Sequence, residues 1–254
     1  MKKGKQKTIA FLGAGNMAEA IIKGVLDAAL FKPENVIASD ISTQRLAEVE
    51  KRYKIRTTAV NREAVEQGDL IILGVKPITV DPVLIEVGSL LTGKLLVSVA
   101  AGIPIARLSA HLGQNVAVIR AMPNAASRVL ASATVLTCGP HVEKVALEEC
   151  RGIFNSIGKT WILEERLLDA VTGLSGSGPA YVMVVIESLA EGGVKCGLDY
   201  DMAMALATQT VLGGSLWLST SGEHPARLKD VVTSPGGTTI AGLHQLEAGG
   251  VRSA

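Results

Sequence analysis

The sequence predicts an α/β chain, a mostly parallel sheet covered by helices on both faces and followed by an all-helical C-terminal domain. Three observations predict it. Short apolar runs recur at intervals up to residue 164. Segments with apolar residues three or four apart separate them. Past Glu164 the strand-like runs stop. Strands that are apolar throughout, alternating with amphipathic helices, belong to a parallel sheet buried on both faces. Crossovers in such sheets are right-handed.

Taken in order, residues 8–12, 36–39, 70–75, 95–99, 116–120, 133–137 and 159–162 read as strands. Residues 17–28, 43–53 and 142–156 read as helices between them. Beyond the sheet, residues 167–172, 180–195, 201–220 and 239–247 carry helical patterns. Gly173-Leu-Ser-Gly-Ser-Gly-Pro179 is expected to break the first of these from the second, with Pro179 in the first turn of the helix that follows. The predicted domains are therefore 1–164 and 165–254. Residues 180–191 present a wide apolar face with few charges, which something must cover. A helical module of about 90 residues has difficulty covering it alone. A second subunit is the expected cover, and packing on the first domain is the alternative.

Composition narrows the class. Hydrophobic residues make up 48% of the 254-residue chain and aromatics 3%, so the cores must be aliphatic. Lys plus Arg number 25 against 24 Asp plus Glu, a balance that argues against nucleic acid or an anionic membrane as partner. No apolar run approaches the ~18 residues of a membrane span. The basic start, residues 1–7, precedes only a short apolar run and reads as a solvated tail rather than a signal peptide. Cys138, Cys150 and Cys196 are widely spaced, without a Cys-x-x-Cys pair, so neither a disulfide framework nor a metal site is indicated. A reducing cytoplasm is the expected location.

Two segments carry the chemistry. Gly13-Ala14-Gly15-Asn16-Met17-Ala18 follows a strand and opens a helix. In that context Gly13 permits a tight turn, Gly15 lets the backbone approach a pyrophosphate, and Ala18 keeps the helix close to the sheet. The first domain is thus read as a Rossmann-type dinucleotide-binding domain. Asp40 closes the second strand, where a carboxylate can accept from ribose hydroxyls and repel a 2′-phosphate, which leans toward NAD. Ser39, Ser42, Thr43 and Arg45 nearby keep NADP open, and Asp40 as a helix N-cap is the plain structural alternative. Val75-Lys76-Pro77, Ala100-Ala101-Gly102 and Arg120-Ala-Met122-Pro-Asn124 each end a strand. Ligands of open parallel sheets lie at those carboxyl ends, so nicotinamide and ribose are expected there.

The second segment is Ser234-Pro-Gly236-Gly237-Thr238-Thr239. Its glycines free backbone N–H groups to approach a small anion, and its hydroxyls both donate and accept. A helix starting there favours a carboxylate. A cofactor turn early and an anion turn late point to a two-part oxidoreductase acting on a small acidic substrate.

These segments closely resemble the pyrroline-5-carboxylate reductase family. The likeness runs through Phe11-Leu-Gly-Ala-Gly-Asn-Met-Ala-Glu-Ala20, Val75-Lys-Pro77, Ser98-Val-Ala-Ala-Gly102 and Arg120-Ala-Met-Pro-Asn124. It continues in Asp169-Ala-Val-Thr-Gly-Leu-Ser-Gly-Ser-Gly-Pro-Ala-Tyr181 and Leu228-Lys-Asp-Val-Val-Thr-Ser-Pro-Gly-Gly-Thr-Thr-Ile240. Where many members have Thr-Pro after the Met-Pro-Asn motif, this chain has Ala125-Ala126. The resemblance implies reduction of 1-pyrroline-5-carboxylate to L-proline by NADPH or NADH. It implies a homodimer through the C-terminal helices, extended in many members to a ring of dimers. It implies that Ser234, Gly236, Gly237 and Thr238 hold the substrate carboxylate and that Thr239 faces the ring nitrogen. It also implies that Asn61 lies on the adenosine side, with Val75, Lys76, Pro77, Ala100, Ala101, Gly102 and Met122 toward the nicotinamide.

No His, Cys or carboxylate pair stands out as an acid for the imine nitrogen. Thr239 is the one catalytic candidate, as a hydrogen-bond partner of the imine nitrogen, with the substrate protonated beforehand or through water and positioning expected to supply most of the rate. Competing readings are a β-hydroxyacid dehydrogenase or another imine reductase on the same architecture, and a dinucleotide sensor without chemistry. Lys195, followed by Cys196 at a helix end, fits the dehydrogenase poorly, and the intact Ser234–Thr239 segment speaks against the sensor.

Overall fold

A computed structural model describes residues 7–253. Of the basic residues 1–7, read above as a solvated tail, 1–6 lie outside the described residues, and Lys7 Nζ pairs with Glu149 at 2.6 Å. The elements follow one another as β1 (Ile9–Leu12), α1 (Asn16–Asp27), β2 (Val36–Ser39), α2 (Thr43–Tyr53), β3 (Arg56–Thr58), α3 (Asn61–Gln67), β4 (Leu70–Leu73), α4 (Val80–Val87), β5 (Leu95–Ser98), α5 (Ile105–Ser109), β6 (Ala117–Met122), β7 (Ser132–Cys138), α6 (Lys144–Asn155) and β8 (Gly158–Ile162). Then come α7 (Leu168–Val171), α8 (Gly178–Lys195), α9 (Tyr200–Ser221), α10 (Pro225–Val231) and α11 (Thr238–Ala248).

The strands form one sheet in the order β3-β2-β1-β4-β5-β6-β7-β8. Alternate residues of each inner strand enter different cores. Ile9 and Phe11 of β1, with Ile72 and Val97, pack beneath α1 and α6 against Ile21, Val25 and Phe154. Ala10 and Leu12, with Ile71, Leu73 and Leu96, pack beneath α3, α4 and α5 against Val65, Leu84 and Leu108. Both faces being covered, the strands read as continuous apolar runs rather than alternating ones. Each fully buried aliphatic side chain contributes about 1.5–3 kcal/mol.

Two features of the sheet depart from the sequence reading, and α10 at Pro225–Val231 was not among the helices it named. β3 was not expected: its Arg-Thr-Thr is half-buried and carries no apolar run. It exists because it pairs in parallel with β2 at the sheet's edge. β7 runs antiparallel to β6, whereas the other pairings are parallel. The link at residues 123–131 holds only a short 3₁₀ turn, too little for the crossover of about a dozen residues that a parallel neighbour requires.

The expected break at residues 173–179 is also corrected. The chain stays helical from α7 into α8 through a wide turn at Thr172–Gly176, where the Ser177 N–H bonds the Thr172 carbonyl five residues back at 2.9 Å. Hydroxyls reinforce it, Thr172 Oγ1 donating to the Leu168 carbonyl at 2.8 Å and Ser175 Oγ to that of Val171 at 3.1 Å. Pro179 does lie in the first turn of α8.

The chain divides into two compact units, Met1–Ala180 and Tyr181–Ala254. In the second, α8 and α9 meet through Ile186, Ala190, Ala203 and Ala207. At Gly193 the contact is close enough that an added Cβ would lie 3.2 Å from Ala203 Cβ. Outside that small core both helices expose apolar side chains, among them Tyr181, Met183, Val184 and Leu189, then Leu206, Leu212, Leu216 and Trp217. Among the described residues, no helix is long and apolar enough to cross a membrane.

Candidate active site

The sheet order reverses direction at β1 and β4, and the crevice beyond such a switch point is where ligands of this architecture bind. Gly13 leaves β1 there. Its N–H donates to the Ser39 carbonyl at 2.8 Å, and its φ of +92° is one that side chains rarely adopt. A Cβ at Gly13 would sit 3.0 Å from the Gly74 backbone beyond β4, so only glycine fits. Gly15 faces open space, with nothing within 4 Å of an added Cβ. It is the N-cap of α1 and supplies no side-chain cap. The first amides of α1, at Asn16 and Met17, therefore point outward without a capping side chain, at the positive end of the helix. Ala18 is fully buried and lies against Gly74, the added Cβ there being 3.5 Å from its own. Open space, a strained glycine and an uncapped helix start fit a dinucleotide pyrophosphate.

The Ala14 peptide is gripped from both sides. Asp40 Oδ2 accepts from the Ala14 N–H at 2.8 Å, and Arg45 Nε donates to the Ala14 carbonyl at 2.6 Å. Asp40 Oδ1 accepts from the Ser42 N–H at 2.9 Å. Asp40 is not the N-cap considered above; that cap is Ser42, whose hydroxyl accepts from the Arg45 N–H. Arg45 in turn pairs with Glu19 and with Glu48. Arg52 and the Tyr53 hydroxyl, the latter at 3.0 Å, complete the cluster around Glu19. Burial alone would raise the Glu19 carboxyl, but the hydrogen bonds from Arg45 and Tyr53 and the charges of Arg45 and Arg52 hold it below the usual range. Sequence reasoning placed Asp40 and Arg45 near the ribose. It missed that both brace the glycine turn.

The remaining candidates line the carboxyl ends of the strands. Val75, Lys76 and Pro77 follow β4, with Lys76 exposed and its carbonyl accepting from Thr79. Ala100 is buried after β5, its N–H held by Ser98 Oγ at 3.3 Å, while Ala101 and Gly102 are exposed. Met122 ends β6 and is half-buried. Asn61 opens α3, where Oδ1 accepts from Ser39 Oγ at 2.8 Å and Nδ2 donates to Glu86 at 2.9 Å. Two thiols take no part: burial pushes both Cys138 and Cys150 upward, away from thiolate chemistry. Cys196 is exposed.

In the second unit, α11 starts at Thr238 with Gly237 as an N-cap that offers no side chain. Gly236 takes φ +68°, and the Gly237 N–H closes a turn on the Ser234 carbonyl at 3.1 Å. Ser234 Oγ leans so close that a Cβ on Gly237 would lie 2.3 Å from it. Ser234 thus sits against the N-cap while Thr238 and Thr239 open an eleven-residue helix, with free space around Gly236.

Comparison with known proteins decides the family. A model described as pyrroline-5-carboxylate reductase dimerisation matches residues 165–254, and one described as NADP oxidoreductase coenzyme F420-dependent matches residues 8–102. The chain is 41% identical to a pyrroline-5-carboxylate reductase of Methanosarcina acetivorans over 98% of its own length and 93% of the relative's. It belongs to the pyrroline-5-carboxylate reductase family. A Pisum sativum member is 43% identical over 96% of this chain and 89% of that one. Among solved members, the Coxiella burnetii structure superposes with a TM-score of 0.92 at 32% identity, covering 98% of this chain and 93% of that one. The Plasmodium falciparum structure, described with NADP bound, gives 0.88 at 31% identity over 98% and 93%. A Rossmann-type sheet followed by a helical region is thus the fold of the family as well as of this chain.

Proposed function

We propose that this chain reduces 1-pyrroline-5-carboxylate to L-proline with NADPH or NADH, the last step of proline biosynthesis. The observation that carries the reading is the pairing, within one member of this family, of an uncapped glycine turn at the sheet's switch point with a second uncapped helix start at Gly237. Residues 1–164 are assigned to the dinucleotide and residues 165–254 to substrate and dimerisation. The reduced nicotinamide supplies a hydride to the imine carbon. Ser234 and the amides of Gly236, Gly237 and Thr238 hold the substrate carboxylate, assisted by the dipole of α11. Thr239 Oγ1 hydrogen-bonds the ring nitrogen and orients it, accepting from the N–H when the imine is protonated. A threonine hydroxyl is a poor acid, so the nitrogen arrives protonated or takes its proton through water. Positioning supplies most of the rate.

The exposed apolar faces of α8 and α9, in the stretch matched by the dimerisation model, support a homodimer through these helices. We extend this to a ring of such dimers. The three unpaired cysteines suit the reducing cytoplasm in which we place it. The test follows loss of reduced nicotinamide absorbance with the imine as substrate, each cofactor in turn. Imine-dependent oxidation with proline as product is expected. No turnover with either cofactor, from protein that binds NADPH, would overturn the reading.

A further inference from the structure

Asn124, just past the end of β6, has no role in the chemistry above, yet it is 9% exposed and its side chain is used on both sides. Oδ1 accepts from the Ala126 N–H at 3.2 Å and caps the short 3₁₀ turn at Ala125–Val129. Nδ2 donates to the Ser175 carbonyl at 2.9 Å, across 51 positions of sequence. Ser175 lies in the wide turn Thr172–Gly176. Wide turns disturb the regular helical ladder and recur at functional sites. Here the turn's backbone is held from outside by one side-chain amide.

The same strand end meets the turn a second time. A Cβ on Gly176 would lie 3.0 Å from Met122 Cε, so the turn's backbone rests on the methionine. The segment leading into the turn is anchored too. Arg120, buried in β6, pairs with Glu165 at 3.2 Å, and Glu165 also accepts from the Ile105 N–H at 2.7 Å. The carboxyl end of β6 is thus a platform on which residues 165–177 are fixed, at the edge of the sheet where the nicotinamide is assigned.

We propose that Asn124 is a positioning residue for hydride transfer. Its amide fixes the 172–177 turn against Met122, and the turn forms a wall that sets the distance between nicotinamide and imine. The inference rests on the reductase reading above. Asn124 spends both side-chain polar atoms on the chain's own backbone, so it acts on geometry in the bound state more than on cofactor affinity.

Two substitutions at the residue test it. Asn124→Ser keeps an acceptor for the Ala126 N–H and loses the donor to Ser175. Asn124→Asp also keeps the acceptor but sets a carboxylate oxygen against the Ser175 carbonyl. Misplacing reactants by about 1 Å costs up to about 100-fold. Asn124→Ser is therefore expected to lower kcat about tenfold or more, with the NADPH Kd by fluorescence within about twofold of wild type. Asn124→Asp is expected to be worse at neutral pH and to recover relative to wild type as pH falls, because its protonated carboxyl donates to Ser175 again. A merely structural role predicts no such recovery. Gly176→Ala, which leaves Asn124 intact and crowds the turn against Met122 Cε, is expected to lower kcat likewise, and it decides the matter if the Asn124 variants fail to fold by circular dichroism. Wild-type kcat in these variants, or a drop in Asn124→Asp that does not respond to acid, would overturn the inference while wild-type turnover leaves the reductase reading standing. An inactive wild type would remove both.

Discussion

Gly13 stands at φ +92° with the Gly74 backbone 3.0 Å from where a Cβ would go. Gly13→Ala meets strain and a backbone clash together. It should cost about 1–3 kcal/mol of stability in urea unfolding and weaken NADPH binding in a fluorescence titration, and unchanged affinity would detach the turn from the cofactor. Asp40 spends both carboxylate oxygens on backbone N–H groups at the end of β2. Asp40→Asn removes the charge, so the NADPH Kd should improve relative to NADH by about fivefold, the worth of roughly 1 kcal/mol of repulsion between near charges in water. A ratio that does not move would place the 2′-phosphate away from Asp40. Thr239→Ala removes the hydroxyl assigned to the ring nitrogen. kcat/KM should drop by about tenfold or more, some 1–3 kcal/mol for a lost site hydrogen bond, and a steady-state value equal to wild type would take Thr239 out of the reaction.

Helices α1 and α2 are joined by charge as well as by packing. Glu19 of α1 receives Arg45, Arg52 and Tyr53 of α2, and Arg45 reaches on to the Ala14 carbonyl. The folded state holds the Glu19 carboxyl below its ordinary value. A lowered folded pKa stabilises the fold above the unfolded value, about 4.3 for Glu. That contribution is lost as pH falls through the folded pKa. Glu19→Gln should therefore be less stable than wild type at neutral pH, with the difference closing in acid. Urea midpoints measured from pH 7 downward check this, and a gap that persists in acid would show the cluster to be ordinary packing. At the same scale, strand positions were largely legible, because inner strands such as Leu70–Leu73 are buried on both faces and read as unbroken apolar runs. β3 was not, since Arg-Thr-Thr has no apolar signature and its pairing is set by β2 alone.

At the level of the molecule, α8 is apolar nearly all round, and Val184 is 61% exposed in the single chain. A helix of that composition belongs in a buried setting. The homodimer proposed above would supply one, so Val184→Asp should shift the protein toward monomer in size-exclusion chromatography with light scattering and lower its melting temperature. A variant that keeps the wild-type mass would place Val184 outside the interface.

The sequence by itself determined the alternation of strands and helices, the glycine turn after β1 and the Ser234–Thr239 turn. Each rests on local properties: side-chain periodicity, the φ freedom of Gly13 and Gly236, and the absence of a capping side chain at Gly15 and Gly237. Only the tertiary structure decided that Asp40 and Arg45 grip Ala14, that residues 173–179 continue a helix instead of breaking it, and that Asn124 holds Ser175. The two grips on Ala14 and the hold on Ser175 depend on groups 26, 31 and 51 positions apart meeting at hydrogen-bond distance. No local pattern encodes such meetings, because the order and direction of the strands choose which side chain arrives.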